Sequence, residues 1–95
     1  MYAVIRRYRF KSEDSEKINQ LIQEGFVPLL KKANGFISYN WLDTGKGEGA
    51  SLSVFQDKVG ADESIRLAAD FVKANMSEFL SQKPEVIEGP VKAHS

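Results

Sequence analysis

Between Phe26 and Asp57 the chain carries the end of an amphipathic helix, a glycine stop, and two strand-like runs joined by a glycine-rich turn. The segment reads Phe26-Val27-Pro28-Leu29-Leu30, then Gly35-Phe36-Ile37-Ser38-Tyr39, then the turn, then Ser51-Leu52-Ser53-Val54-Phe55-Gln56-Asp57. Two β-rich runs this close in sequence return on one another as an antiparallel hairpin. A strand precedes this unit, and a helix and a strand follow it. The resulting order, β-α-β-β-α-β, predicts an α+β, ferredoxin-like domain with an antiparallel four-stranded sheet.

The flanking elements follow from local pattern. Residues 2–10 are rich in β-branched and aromatic types and form the first strand, with Tyr2, Val4, Arg6, Tyr8 and Phe10 on one face and Ala3, Ile5, Arg7 and Arg9 on the other. Ser12 or Asp14 is the expected N-cap of a helix over 15–33, where Ile18, Leu21, Ile22, Phe26, Leu29 and Leu30 recur at helical spacing. Pro28 has no N–H to donate and crowds the preceding turn, so a kink or break is expected near Gly25. Gly35 stops the helix.

The second strand spans 36–43. Regular alternation puts Phe36, Ser38, Asn40 and Leu42 on one face and Ile37, Tyr39 and Trp41 on the other. The glycines of Thr44-Gly45-Lys46-Gly47-Glu48-Gly49 permit a tight turn. They do not make a phosphate loop, because the spacing is wrong and a strand follows. The third strand covers 50–56. A second helix, capped within 57–62, carries Ile65, Ala68, Ala69, Val72, Met76, Phe79 and Leu80 on one stripe, and Pro84 marks its exit. The last strand, 85–93, contains Gly89-Pro90, which suits an edge position, a bulge or a break.

Composition narrows the function. Ninety-five residues without a linker or repeat make one domain, residues 1–95. Thirteen basic and thirteen acidic residues cancel, and no basic stripe suggests nucleic acid. No apolar run is long enough to span a membrane, and the N-terminus lacks a signal core, so a cytoplasmic protein is expected. Without cysteine there is no thiolate chemistry and no cysteine-held metal. The single histidine, His94, belongs to the terminal segment and makes no metal site by itself.

Two helical stripes cover one face of a four-stranded sheet. Regular alternation does not bring Tyr2, Tyr8, Phe10, Tyr39, Trp41 and Phe55 onto that one face, so an aromatic second face is expected. Such a surface is satisfied by a partner, and two sheets packed face to face would cover both. Among individual residues, an arginine of the first strand that reaches a pocket could hold an anionic or enolic ligand. Arg6 and Arg7 point to opposite faces, so only one of them would do so, and an ion pair is the plainer alternative. Asn40 and Trp41 also point to opposite faces. Trp41 suits a core or interface anchor, and Asn40 a polar patch or a bond to the hairpin backbone. Met76 falls on the buried stripe, which would also wall any pocket beneath the helix.

With Tyr2-Ala3-Val4-Ile5-Arg6-Arg7-Tyr8, Pro28-Leu29-Leu30, Gly35-Phe36-Ile37-Ser38-Tyr39 and Ser53-Val54-Phe55-Gln56-Asp57 in place, the chain resembles the dimeric α/β-barrel superfamily. The closer resemblance is to proteins with an antibiotic-biosynthesis-monooxygenase-like domain. It implies a homodimer packed through its sheets, with a pocket in each subunit between sheet and helices. Some members oxidise aromatic polyketides with oxygen and without metal or flavin, and others degrade haem. Haem degradation is not expected, because the second helix has no histidine and the first-strand position of the haem enzymes' Asn falls among Arg6 and Arg7. The aromatic position near the end of the third strand, often Trp in active relatives, is Phe55.

The resemblance thus implies a cofactor-independent monooxygenase-like protein for a small aromatic or quinol compound. Asn40, Arg7 and Tyr8 would be its catalytic residues, and Arg6, Trp41, Phe55 and Met76 would bind substrate. A non-catalytic small-molecule binder, or a structural dimer of the same fold, is the alternative.

Overall fold

A computed structural model describes residues 1–95. Its elements run β1 (Tyr2–Arg9), a 3-10 turn (Ser12–Asp14), α1 (Ser15–Leu21), a π-helical turn (Ile22–Phe26), α2 (Val27–Leu30), β2 (Phe36–Asp43), β3 (Glu48–Phe55), α3 (Lys58–Asn75), a second 3-10 turn (Ser77–Phe79) and β4 (Glu85–Pro90). The four strands form one sheet in the order β2-β3-β1-β4, with every neighbouring pair antiparallel. This is the expected ferredoxin-like arrangement.

The first helical region is irregular near Gly25, where the sequence predicts a kink or break, and the irregularity is a π turn over Ile22–Phe26. There is no break. The backbone stays in the right-handed helical region at Leu21, Phe26, Val27 and Lys31, and one π turn takes up the irregularity just before the proline. A wider turn relieves the clash of the proline ring with the preceding turn. Gly25, inside that turn, lets the Phe71 ring of α3 lie directly on the backbone, since a Cβ there would sit 3.0 Å from it. The helix then ends at Leu30 rather than Ala33. Neither Ser12 nor Asp14 caps with its side chain.

Asp57 does cap α3, accepting from the Gly60 N–H at 3.2 Å, so the helix starts at Lys58. It also stops earlier than the hydrophobic stripe suggests, at Asn75 instead of Leu80. The Ser77 hydroxyl lies 3.2 and 3.1 Å from the Val72 and Lys73 carbonyls, and its one proton competes for the Lys73 carbonyl that a further turn would have used, since the Val72 carbonyl already accepts the Met76 N–H. Leu80 is thereby freed to bridge to Phe10 beside the sheet. The last strand is an edge strand, as Pro90 suggested, and ends at that proline rather than at 93.

The expected aromatic second face does not exist. Tyr2, Tyr8, Phe10, Tyr39, Trp41 and Phe55 all pack on the helix-covered side. The register accounts for this, since Tyr39 and Trp41 lie opposite Ser53 and Ser51, which share a face with Phe55 and with Tyr2 and Tyr8 of β1. A register shift between Phe36 and Ser38 brings Phe36 onto the face of Tyr39 and Trp41. The central strand β3 is also small where its neighbours are large, with Gly49 opposite Tyr8, Ser51 opposite Trp41 and Ser53 opposite Tyr39. Gly49 is an extreme case, because a Cβ there would stand 2.5 Å from the Trp41 ring. The open face is aliphatic instead, with Ile5, Leu42, Leu52 and Ile87 at 39–65% exposure.

Candidate functional site

The position beneath both helices, where the family resemblance puts a pocket, is filled. Tyr8, Ile22, Phe26, Tyr39, Phe71 and Met76 close around a gap of about 10 Å³, which is at the lower limit for a single water. Phe26 meets Tyr39 and Phe71 with ring centroids 5.7 and 5.4 Å apart, and Tyr8 meets Trp41 edge-on at 5.3 Å. These contacts are within the range of favourable aromatic pairing. Burial, reinforced by the neighbouring Tyr8 phenol, pushes the Tyr39 phenol above its ordinary value, so it stays neutral.

A groove of about 580 Å³ lies to one side, open to solvent along its mouth. Helix α3 packs over β1 and β3, leaving the edge strand β4 exposed along most of its length. The early stop at Asn75 sends the chain around the end of this gap. Ile65, Ala69 and Val72 of α3 form one wall, and Leu80, Pro84 and Val86 form the other. A volume of this size is typical of small-molecule sites.

Arg6 lines this groove and is 7% exposed. Its Nε donates to the Tyr8 hydroxyl at 2.8 Å, and its guanidinium carbon sits 5.6 Å from the Tyr8 ring centroid. The two residues share a strand face two positions apart, so the tyrosine holds the guanidinium in one orientation. That is the guanidinium's one hydrogen bond within the protein, and no carboxylate lies within ion-pair distance. Lys73 and Lys83 line the same groove, and its lining contains no Asp, Glu or His.

The remaining candidates lie elsewhere. Arg7 points to the open face, where its Nη2 meets Glu48 at 2.7 Å and its Nη1 lies 4.0 Å from Glu85. The bond to Glu48 holds the Arg7 guanidinium above its ordinary value and the Glu48 carboxyl below its own. Asn40 also lies on the open face, exposed and opposite Leu52. Neither approaches the groove. Phe55 and Met76 are 0% and 1% exposed and sit in the two halves of the core.

Trp41 packs against the second half of the core. Its indole N–H donates to Asn19 Oδ1 at 2.8 Å, and Asn19 Nδ2 donates to Asp43 Oδ2 at 3.0 Å. Asp43 also accepts the Gly45 N–H at 2.8 Å, and these bonds, that from Gly45 foremost, hold its carboxyl below the usual range. This chain ties α1 to the hairpin and is structural. His94 lies beyond β4, and no group of three potential metal ligands occurs.

Apart from Arg6, none of the groove residues is marked as ligand-facing by pattern alone, those of α3, the following turn and β4 alike. The signal was present in Ile65, Ala69, Val72 and Lys73, which recur at spacings of four and three to four along α3. That stripe is wider than the sheet beneath it needs, and its outer edge becomes the groove wall.

A four-stranded antiparallel sheet with helices on one face defines a ferredoxin-like α+β fold. Solved structures, antibiotic biosynthesis monooxygenases and proteins of unknown function among them, share this fold. A protein of unknown function from Nitrosomonas europaea superposes with a TM-score of 0.83 at 20% identity, covering 99% of this chain and 91% of that one. A monooxygenase from the ActVA-Orf6 gene of Streptomyces coelicolor, in complex with nanaomycin D, gives 0.73 at 12% identity, with 99% and 89% covered. SnoaB, a cofactor-independent oxygenase from Streptomyces nogalater in a mutant form, gives 0.74 at 10% identity, with 98% and 94% covered. No protein-family model and no curated protein matches the sequence. No helix is long and apolar enough to cross a membrane.

Proposed function

We propose that this chain is a homodimeric, oxygenase-like protein that takes a small phenolic or enolic aromatic compound into the Arg6 groove and oxidises it with molecular oxygen. The observation that carries the proposal is the guanidinium of Arg6, buried, fixed by Tyr8 and facing an apolar groove without a protein counter-charge. Such a donor favours a ligand oxygen in its anionic form, where charge is most stabilising at low dielectric. The likeness in fold to two oxygenases supports the chemistry by analogy alone.

In the step envisaged, an activated ring CH2 loses a proton to give an enolate held by Arg6. The enolate carbon passes electrons to O2 and forms a hydroperoxide. Loss of water then breaks the O–O bond and leaves a carbonyl, so one oxygen atom enters the product and the other leaves as water. The substrate supplies all four electrons. Arg6 stabilises the negative charge, Tyr8 positions it, and the walls from Ile65, Val72 and Leu80 exclude water around the reacting ring. Asn40, Arg7, Trp41, Phe55 and Met76 are assigned no part at the groove.

One observation favours binding without turnover. The groove lining offers no carboxylate or imidazole to take the substrate proton, so a substrate would have to arrive ionised or give its proton to water. Oxygen uptake against a panel of anthrones and hydroxyquinols separates the two functions. An oxygenase consumes oxygen above the autoxidation rate, and Arg6→Met reduces the excess at least 10-fold. Uptake at background across the panel would leave a ligand-binding dimer. The dimer itself is proposed from the aliphatic open face, where Ile5, Leu42, Leu52 and Ile87 form one exposed patch.

A further inference from the structure

We infer that the groove prefers amphipathic organic acids, compounds with a fixed carboxylate on an apolar body, over neutral ligands of the same shape. The inference rests on the groove being the ligand site, as above, and is independent of the oxygen chemistry.

The whole chain is formally neutral, yet the groove lining holds Arg6, Lys73 and Lys83 and no acid. The ion pairs within the chain engage Arg7, Arg9 and Lys58, on other surfaces. The groove cations have no ion-pair partners, and of the cations without one Arg6 alone is buried. For the two lysines this costs little, because both are exposed and hydrated. For Arg6 it does not hold. A cation that is 7% exposed, with a neutral phenol as its one hydrogen-bond partner, has lost most of its hydration and gained no counter-charge. An acid delivered from outside would supply it. The guanidinium fork matches a carboxylate with two parallel bonds, and its terminal nitrogens have no competing acceptor in the protein.

The shape of the groove fixes the rest of the ligand. Ile65, Ala69, Val72, Leu80, Pro84 and Val86 present hydrocarbon on both sides, which rewards an apolar body over a polar one. The volume of about 580 Å³ suits a fused aromatic ring system or a medium acyl chain better than an acetate-sized anion, which would leave the walls uncovered. Lys73 and Lys83 add positive potential that draws an anion in and falls off with salt.

The test is equilibrium binding to the full chain by titration calorimetry. The probes are 2-naphthoate and decanoate, against methyl 2-naphthoate and decanol as neutral counterparts and 2-naphthylmethylamine as a cation. At least one acid is expected to bind about 10- to 100-fold more tightly than its neutral counterpart, with the amine not bound. The aromatic and acyl arms tell which apolar body the walls prefer. Arg6→Met should abolish the preference for the acid. Arg6→Lys should restore part of it, and circular dichroism and thermal melts establish that both variants are folded. The double change Lys73→Gln with Lys83→Gln, on exposed positions, should weaken acid binding about 2- to 5-fold and flatten its salt dependence.

Equal affinity for acid and neutral counterpart, an unchanged acid preference in Arg6→Met, or no binding of either acid would each overturn the inference. The oxygenase proposal fails separately. Acid binding without oxygen uptake removes the activity and keeps the receptor, whereas turnover of hydroxyquinols that falls in Arg6→Met, with equal affinity for acid and neutral counterpart, does the reverse.

Discussion

Arg6 and Tyr8 stand two residues apart on the helix-covered face of β1, and the arginine Nε donates to the tyrosine hydroxyl at 2.8 Å. The pair joins the two parts of the interior. Tyr8 belongs to the sealed core beside Trp41 and Met76, and Arg6 opens onto the groove. The core therefore sets the orientation of the one buried guanidinium.

Tyr8→Phe removes that orientation while keeping the ring and its edge-on contact with Trp41. A hydrogen bond to a charged group contributes about 1.5–3 kcal/mol to stability. Because water from the groove can take the place of the phenol, a loss of about 1 kcal/mol in urea unfolding is expected. The larger effect is on ligand affinity, which should fall several-fold as the guanidinium samples other rotamers. Unchanged affinity together with the stability loss would show that Tyr8 supports the core and not the site.

The chain of bonds from Trp41 through Asn19 to Asp43 makes a second prediction. Asn19→Leu leaves the half-buried indole N–H without an acceptor, which costs about 1–3 kcal/mol in urea unfolding. The same chain gives a pH dependence. The Asp43 carboxyl is held below the usual range by the Gly45 N–H and then Asn19, so its folded pKa lies below its unfolded one. Its contribution is complete above the unfolded value of about 3.9 and is lost as pH falls through the folded value. Asp43→Asn should flatten that acid limb below about pH 4 in chemical denaturation. An acid limb identical in Asp43→Asn and wild type would exclude Asp43 as its source.

Element order was legible because each signal is local. Gly35, the Gly45–Gly49 turn, Asp57 and Pro84 each punctuate the chain by their own backbone chemistry. The face assignment was not legible to the same degree, because it depends on pairs. Tyr8 and Trp41 share one side only because Gly49 and Ser51 lie opposite them, and a single bulge after Phe36 reverses the parity at the start of β2. Arg6 was readable, since it shares parity with Tyr2, Val4, Tyr8 and Phe10, the more apolar set of β1. The groove was not. It exists because Ser77 ends α3 one turn before the hydrophobic stripe does, a competition of hydrogen bonds that periodicity does not register.

Gly49→Ala tests how tightly the small residues of β3 are matched to the aromatic ones. Its Cβ would meet the Trp41 ring at 2.5 Å and the Leu42 carbonyl oxygen at 3.1 Å. The ring is held by its bond to Asn19 and cannot swing away without losing it. Overpacking of this kind costs about 1–3 kcal/mol, measurable in urea and accompanied by a change in tryptophan fluorescence. An equally stable protein with unchanged emission would mean that the ring has room to move.

The aliphatic open face makes the last prediction. Ile5 lies on β1 between Leu52 of β3 and Ile87 of β4, its direct neighbours in register, so the three form a continuous row across the sheet. Arg7, Arg9, Glu48 and Glu85 bound the row at one end as a charge cluster. A row of this kind on a free surface is a driving force for association, and its charged end sets the orientation of the partner. Leu52→Asp places a carboxylate at the centre of the patch, where pairing of two sheets would bury it without a counter-charge. The dimer dissociation constant, measured by sedimentation equilibrium, should rise about 100-fold or more. The side chain is 41% exposed in the single chain, so the monomer itself should remain folded and keep its groove. Acid binding measured on the resulting monomer then decides a further question. If it persists, each groove is complete within one chain. A wild-type chain that is monomeric at 100 µM would remove the dimer altogether and leave the open face as a binding surface for some other partner.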